Sequence, residues 1–170
     1  MIMSTTASET YRLGMRRLAS GVSIVTTVEG ERPHSLVATA VTSVTANPWT
    51  LLVCVNRRAS IYLPLRTNGR FCVNVLSENQ AELTRVFSDT DQRDTRFDHG
   101  EWRTVLGVPV LRDSEVAFIC NVSEQVEVGS HDVFFGQIQE VLEIETTTNP
   151  LIWYDGACRE LASKKLLTGE

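Results

Sequence analysis

Histidine is scarce in this chain. His34, His99 and His131 are scattered through 170 positions, and no two stand at ligand spacing, which argues against a histidine-based metal site. An excess of basic residues is also missing. The 16 Lys and Arg face 21 Asp and Glu, for a net charge of −5, whereas proteins that hold a phosphate backbone carry excess positive charge. No run approaches the roughly 18 apolar residues of a membrane span. The opening "MIMSTTASET" lacks the basic end and apolar block of a secretory signal. Cys54, Cys72, Cys120 and Cys158 form no C-x-x-C pair, and three of them sit in apolar runs. The expectation is therefore free, buried thiols in a soluble cytoplasmic protein.

Familiar catalytic engines are absent too. The chain has no G-x-G-x-x-G, no P-loop, no G-x-S-x-G and no H-E-x-x-H. From Asp89 onward "DTDQRDTRFDHG" has the outline of a calcium loop. It fails because Arg93 takes a ligand position, Asp94 replaces the required glycine and Gly100 stands where a bidentate glutamate belongs. That stretch reads as a solvated loop. No serine or cysteine sits with a base in a local nucleophile motif, although a fold could bring distant residues together. One class of chemistry survives these absences: a bound cofactor carries the reaction, and the protein binds, orients and tunes it.

What is present fits that class. "SLVATAVTSVTANPWTLLVCV", Ser35 to Val55, crowds the hydroxyls of Ser35, Thr39, Thr42, Ser43 and Thr45 against an almost wholly apolar run. Short hydroxyls and approachable backbone N–H groups can cradle a phosphate without a glycine-rich loop. The apolar run offers a wall for a flat ring.

The composition, 42% hydrophobic and 22% charged, is that of one ordinary globular domain over residues 1–170, with its core at about 11–162. Thr6-Ala7-Ser8-Glu9 reads as a capping box opening an amphipathic helix with Tyr11, Met15, Leu18 and Ala19 on one face and Gly21 as its stop. Val22–Val28 and Ser35–Val44 read as a hairpin, and Thr50–Val55 as a strand buried on both faces. Ala59–Leu65 suits a short helix disturbed at Pro64, and Phe71–Leu76 a further strand. Ser77–Gln80 is a second capping box, with Leu83, Val86 and Phe87 facing inward and Leu76 and Ala81 as its staple. Ser88–Gly100 is a charged loop. Val116–Val128 and Val133–Ile144 are long strands, with a slip of alternation around Gly136, and Leu151–Tyr154 is a short one. Such a pattern favours a small antiparallel barrel with helices outside.

Five segments in order, "GVSIVTT", "ATAVTSVTANPWTLLVCVNRRAS", "RFCVNVLSENQAEL", "GSHDVFFGQI" and "LIWYDG", resemble the short-chain flavin reductases. These are the reductase components of two-component flavin monooxygenases such as 4-hydroxyphenylacetate 3-monooxygenase. The likeness runs from about Tyr11 to Leu161. It implies a mainly β fold with flanking helices, an antiparallel split β-barrel of the FMN-binding type. It also implies an NAD(P)H:flavin oxidoreductase that uses NADH or NADPH to reduce FMN or FAD, works as a homodimer and supplies a partner oxygenase.

Position by position, the resemblance implies flavin contacts at Val37, Ala38, Thr39, Ala40, Thr42 and Ser43, and at Cys54, Val55, Asn56 and Ser60. Phe87 and Arg96 would border the flavin tail, Tyr154 would lie by the nucleotide, and His131 would stand near the nicotinamide. Two departures stand out. Gly156 and Cys158 occupy the places where many relatives carry Arg-x-Tyr, and Ser130 replaces an Asp or Thr before the histidine. The first departure motivates a rival reading, a flavin- or haem-binding split barrel without turnover. An oxidase of the same superfamily is a third, with no positive mark in the sequence.

Overall fold

The computed structural model describes residues 5–143 and 148–161. Twelve strands and three α-helices are formed among them. Helix α1 (Thr5–Met15) begins upstream of the expected cap. Thr6 is already inside it, and its carbonyl accepts a hydrogen bond from Thr10 Oγ1 at 2.9 Å, so the first capping box is not formed. Nor is the apolar face buried: Tyr11, Leu13, Met15 and Leu18 are all about half exposed or more. No helix among the described residues is long and apolar enough to cross a membrane.

The main sheet has seven strands in the order β3-β2-β6-β9-β10-β5-β4, all antiparallel. Its members are β2 (Ser23–Glu29), β3 (Arg32–Ala38), β4 (Val41–Ala46), β5 (Trp49–Asn56), β6 (Arg70–Val75), β9 (Val116–Val128) and β10 (His131–Glu143). The expected hairpin forms, but its second strand stops at Ala38, opposite Ser23, where β2 begins. The chain then turns away at Thr39 and Ala40, and β4 pairs with β5 instead. Thus β3 and β4 are the two outermost strands of the sheet, yet only two residues separate them. Two extended residues reach about 7 Å, so the sheet must curl until its margins lie side by side. The Cys54 N–H, donating to the Ala40 carbonyl at 3.1 Å, pins this crossing onto β5.

Strands β9 and β10 slip register between Phe135 and Gly136. A methyl group on Gly136 would overlap the Phe71 ring and come within 2.8 Å of Cys120 Cβ. Glycine is present because two strands and a ring converge there. The expected end of β10 at Ile144 lies outside the described residues, as do Met1–Ser4 of the opening segment. Strand β5 was expected to be buried on both faces. It instead alternates from Leu51 on: Leu51, Val53 and Val55 are enclosed, whereas Leu52, Cys54 and Asn56 are half-buried, because in a curled sheet only the inner face is fully covered.

Helix α2 (Tyr62–Asn68) starts three residues later than expected and tolerates Pro64 without disturbance. Pro64 lies in the first turn, where a backbone N–H has no helical partner to lose. The Ser77 capping box forms as read, with Gln80 Oε1 accepting the Ser77 N–H at 3.0 Å. It opens a 3₁₀ turn (Glu78–Gln80) that leads into α3 (Ala81–Ser88).

Two cores meet on the sheet. Val25, Val53, Val55, Ile61, Leu65, Phe71 and Phe134 fill the inner one. Val22, Ile24, Leu76, Val86, Phe87, Leu111 and Leu151 pack beneath α3, with Ala81 against them. The hairpin of β7 (Trp102–Val105) and β8 (Val108–Leu111) was not foreseen. The short strand expected at Leu151–Tyr154 forms as β11 (Ile152–Tyr154), but its partners β1 (Ser20–Gly21) and β12 (Ala157–Arg159) were not foreseen. All four cysteines are free, but only Cys72 and Cys120 are buried, and Cys54 and Cys158 are half-exposed.

Candidate functional site

The outward side of β3, helix α3 and the β11–β12 hairpin enclose a trough made of two recesses. The larger, about 700 Å³, is lined by Val37, Thr39, Thr84, Trp153 and Cys158 among others. The smaller, about 370 Å³, is lined by Ser35, Arg58, Ser60, Phe87, Arg93 and Arg96 among others. Val37 and Ser88 belong to both walls, so the two recesses are continuous. The larger recess mixes Val22, Val37 and Trp153 with Thr84, Arg85 and Asp89. The other is cationic.

Arg96 dominates the cationic end. It sits on a 3₁₀ turn (Arg96–Asp98) inside the segment read as a solvated charged loop, yet only 5% of it is exposed. Its guanidinium donates to Ser35 Oγ and to the Asp89 carbonyl, both at 3.2 Å, and lies 5.9 Å from the centre of the Phe87 ring. Its Nε has no hydrogen-bond partner among the described residues. Burial, and next the neighbouring charge of Arg93, push its pKa below the ordinary arginine value. A buried guanidinium with an unspent donor and Arg93 beside it can take an anion, with Asp89 and Asp94 already offsetting part of the charge. A separate small void of about 10 Å³ lies among Arg32, Pro33 and His34, with Arg96 in its wall.

Of the residues expected from sequence, Val37, Thr39, Ser60, Phe87 and Arg96 are brought together in this trough. Tyr154 is next to Trp153 on β11, is exposed, and its hydroxyl accepts a bond from Arg17 at 3.2 Å. Ala38 and Val55 point into the inner core. Ala40 and Cys54 meet through their backbones at the crossing. Asn56 Oδ1 accepts the Arg58 N–H at 2.9 Å and so shapes the turn that carries Arg58 and Ser60. Thr42 and Ser43 line a different groove of about 730 Å³ at the β4–β5 end of the sheet, alongside Trp49, Phe118 and Ile138.

His131 opens β10 directly across from Asn56, and its Nδ1 meets Ser130 Oγ at 2.9 Å. It is exposed, beside the turn that leads to Arg58 rather than in the trough. Sequence reasoning passed over Arg58, Arg93 and Trp153. Arg58 lies between two residues it did select. Arg93 looked solvated because its neighbours are charged.

A curled antiparallel sheet that carries a cationic recess on its outer side fits a known class, and the chain belongs to it. Residues 15–162 match the flavin reductase like domain, and the fold is a flavin reductase split barrel. Among its relatives is a protein of Acinetobacter baylyi named FMN reductase (NADH) RutF. It is 42% identical over 134 residues, which cover 78% of this chain and 71% of that one. The protein of that name in Escherichia coli K12 is 38% identical over 154 residues, covering 90% and 93%. Among solved structures, flavin reductase PheA2 superposes with a TM-score of 0.83 at 27% identity, covering 95% of this chain and 100% of that one. BorF, the flavin reductase component of a bacterial two-component tryptophan halogenase, gives 0.83 at 28% identity, covering 91% and 98%.

Proposed function

We propose that the protein is an NADH-dependent flavin reductase that reduces FMN and passes it to a flavin-dependent oxygenase. The observation that carries the reading is Arg96, a buried cation with an unused donor in the wall of the cationic recess. The names of the relatives support the choice of NADH and FMN. When bound, the flavin supplies a ring that accepts a hydride from the reduced nicotinamide.

The chain's own work is binding and orientation. Arg58, Arg93 and Arg96, with Ser60, hold the phosphate as charge-assisted donors. Val37, Thr39 and Trp153 border the ring. His131, its Nδ1 occupied by Ser130, presents Nε2 to the nicotinamide carboxamide. We place Thr42 and Ser43 in a homodimer interface, supported by the apolar groove they line and by exposed Val44, Trp49 and Val141 around it. The cytoplasm is the compartment such a partnership suits.

The experiment is steady-state NADH and NADPH oxidation with FMN and with FAD, beside the molar mass in solution. Turnover with FMN and NADH at the mass of two chains is the expected result. Absence of turnover with every pair overturns the activity, and stoichiometric flavin binding without oxidation selects the binder instead.

A further inference from the structure

Asp132 follows His131 on β10 and is completely enclosed, at 0% exposure. A carboxylate taken out of water is costly unless donors surround it. Here they do. Arg57 Nε donates to Oδ1 at 2.6 Å, the Tyr62 hydroxyl donates to Oδ2 at 2.8 Å, and Gln125 Nε2 donates to Oδ2 as well. Burial pushes the carboxyl pKa up, but the bonds from Arg57, Tyr62 and Gln125 outweigh it and leave the group below its ordinary value.

The network extends beyond the carboxylate. Arg57 Nη2 pairs with Glu127 at 2.9 Å, and the Arg57 backbone N–H donates to the Ser130 carbonyl at 3.1 Å. Ser130 in turn touches His131 Nδ1. On its other side Arg57 is flanked by Asn56 and Arg58, and Asn56 accepts the N–H groups of Arg58 and Ala59. One enclosed carboxylate therefore ties the β9–β10 turn, which presents His131, to the Asn56–Ser60 turn, which supplies Arg58 and Ser60 to the cationic recess. Stability alone does not call for a charge here, since apolar side chains of the same volume commonly serve as well.

We propose that Asp132 is a positioning residue. Acting through Arg57, it holds His131 and the Arg58–Ser60 turn in one fixed relation, so that gripping the flavin phosphate and presenting His131 are energetically coupled. The proposal rests on the flavin reductase reading.

The test is a double-mutant cycle read by single-turnover hydride transfer and by FMN titration. Asp132→Asn keeps the shape and removes the charge. It is expected to slow hydride transfer about tenfold and to raise the FMN Kd several-fold, the size of coupling seen between side chains of one network. In a His131→Ala background the same substitution should slow hydride transfer no further. Val110→Ala, which loosens the separate core of Cys72, Val108, Ala117 and Ile119, should lower Tm and leave hydride transfer intact. If Asp132→Asn does not fold, Arg57→Lys removes the planar fork and runs through the same cycle.

Additive losses in the double variant overturn the proposal. So do full activity in His131→Ala, and a fall in Tm with hydride transfer and Kd unchanged. An inactive wild-type enzyme overturns the flavin reductase reading itself, whereas additive losses in an active enzyme overturn only the role of Asp132.

Discussion

Replacing Arg96 with Met separates what this residue does for the fold from what it does for a ligand. In the free protein its two hydrogen bonds, to Ser35 Oγ and the Asp89 carbonyl, are both 3.2 Å long. Each has a charged donor and contributes about 1.5 kcal/mol, and against them stands the cost of an unsatisfied buried Nε, about 1–3 kcal/mol. Methionine retains the packing on Phe87 through a flexible apolar chain. The balance is small, so Tm should stay within about 4 °C of wild type. The ligand side is not balanced. A hydrogen bond from a charged group to a phosphate contributes about 1.5–3 kcal/mol, so the FMN Kd should rise about 10- to 150-fold. Riboflavin, which has the ring and ribityl chain but no phosphate, should bind the variant and the wild type alike. Flavin fluorescence titrations with both ligands, and thermal melts without either, provide the comparison. A parallel loss for FMN and riboflavin would refute the reasoning, because Arg96 would then be supporting the ring or the fold and not the anion.

Gly136→Ala should cost about 1–3 kcal/mol through overpacking against Phe71 and Cys120, a fall in Tm of about 2–12 °C in a differential scan. An unchanged Tm would mean that the strands part there with ease. For His34, burial first, then the charges of Arg32, Arg93 and Arg96, lower the pKa from 6.5, and Glu29 only partly opposes them. The unfolded chain therefore takes up a proton that the folded one resists, and stability is lost as pH falls below about 6.5. Urea midpoints at about pH 7.5 and 5.5 should differ less in His34→Gln than in wild type. An equal difference would remove His34 from the account.

The parts of this fold that sequence reveals are those set by near neighbours. The Ser77–Gln80 box is a local exchange of hydrogen bonds, and the Gly136 bulge shows as a glycine breaking a strict alternation. The parting of β3 from β4 leaves no such trace, because small, hydroxyl and aliphatic residues continue without a turn signal from Ser35 to Val44. The break is imposed by Ser23, where the partner strand begins. The burial of Arg96, selected through the family likeness, is missed for a related reason. Its neighbours in the chain are charged and solvated, and what encloses it comes from Ser35 and Phe87. Val37, Thr39 and Ser60 are legible as site residues only through their likeness to a family, since nothing in their own spacing sets them apart from ordinary strand and turn residues.

The two-residue crossing at Thr39 and Ala40 limits how such a protein can diversify. Length cannot be added there without pulling the barrel open, so a lineage that changes its cofactor or its donor has little freedom at the step itself. Innovation is left to Ser88–Gly100 and to the tip of the last hairpin, which border the trough yet hang from the scaffold by their ends.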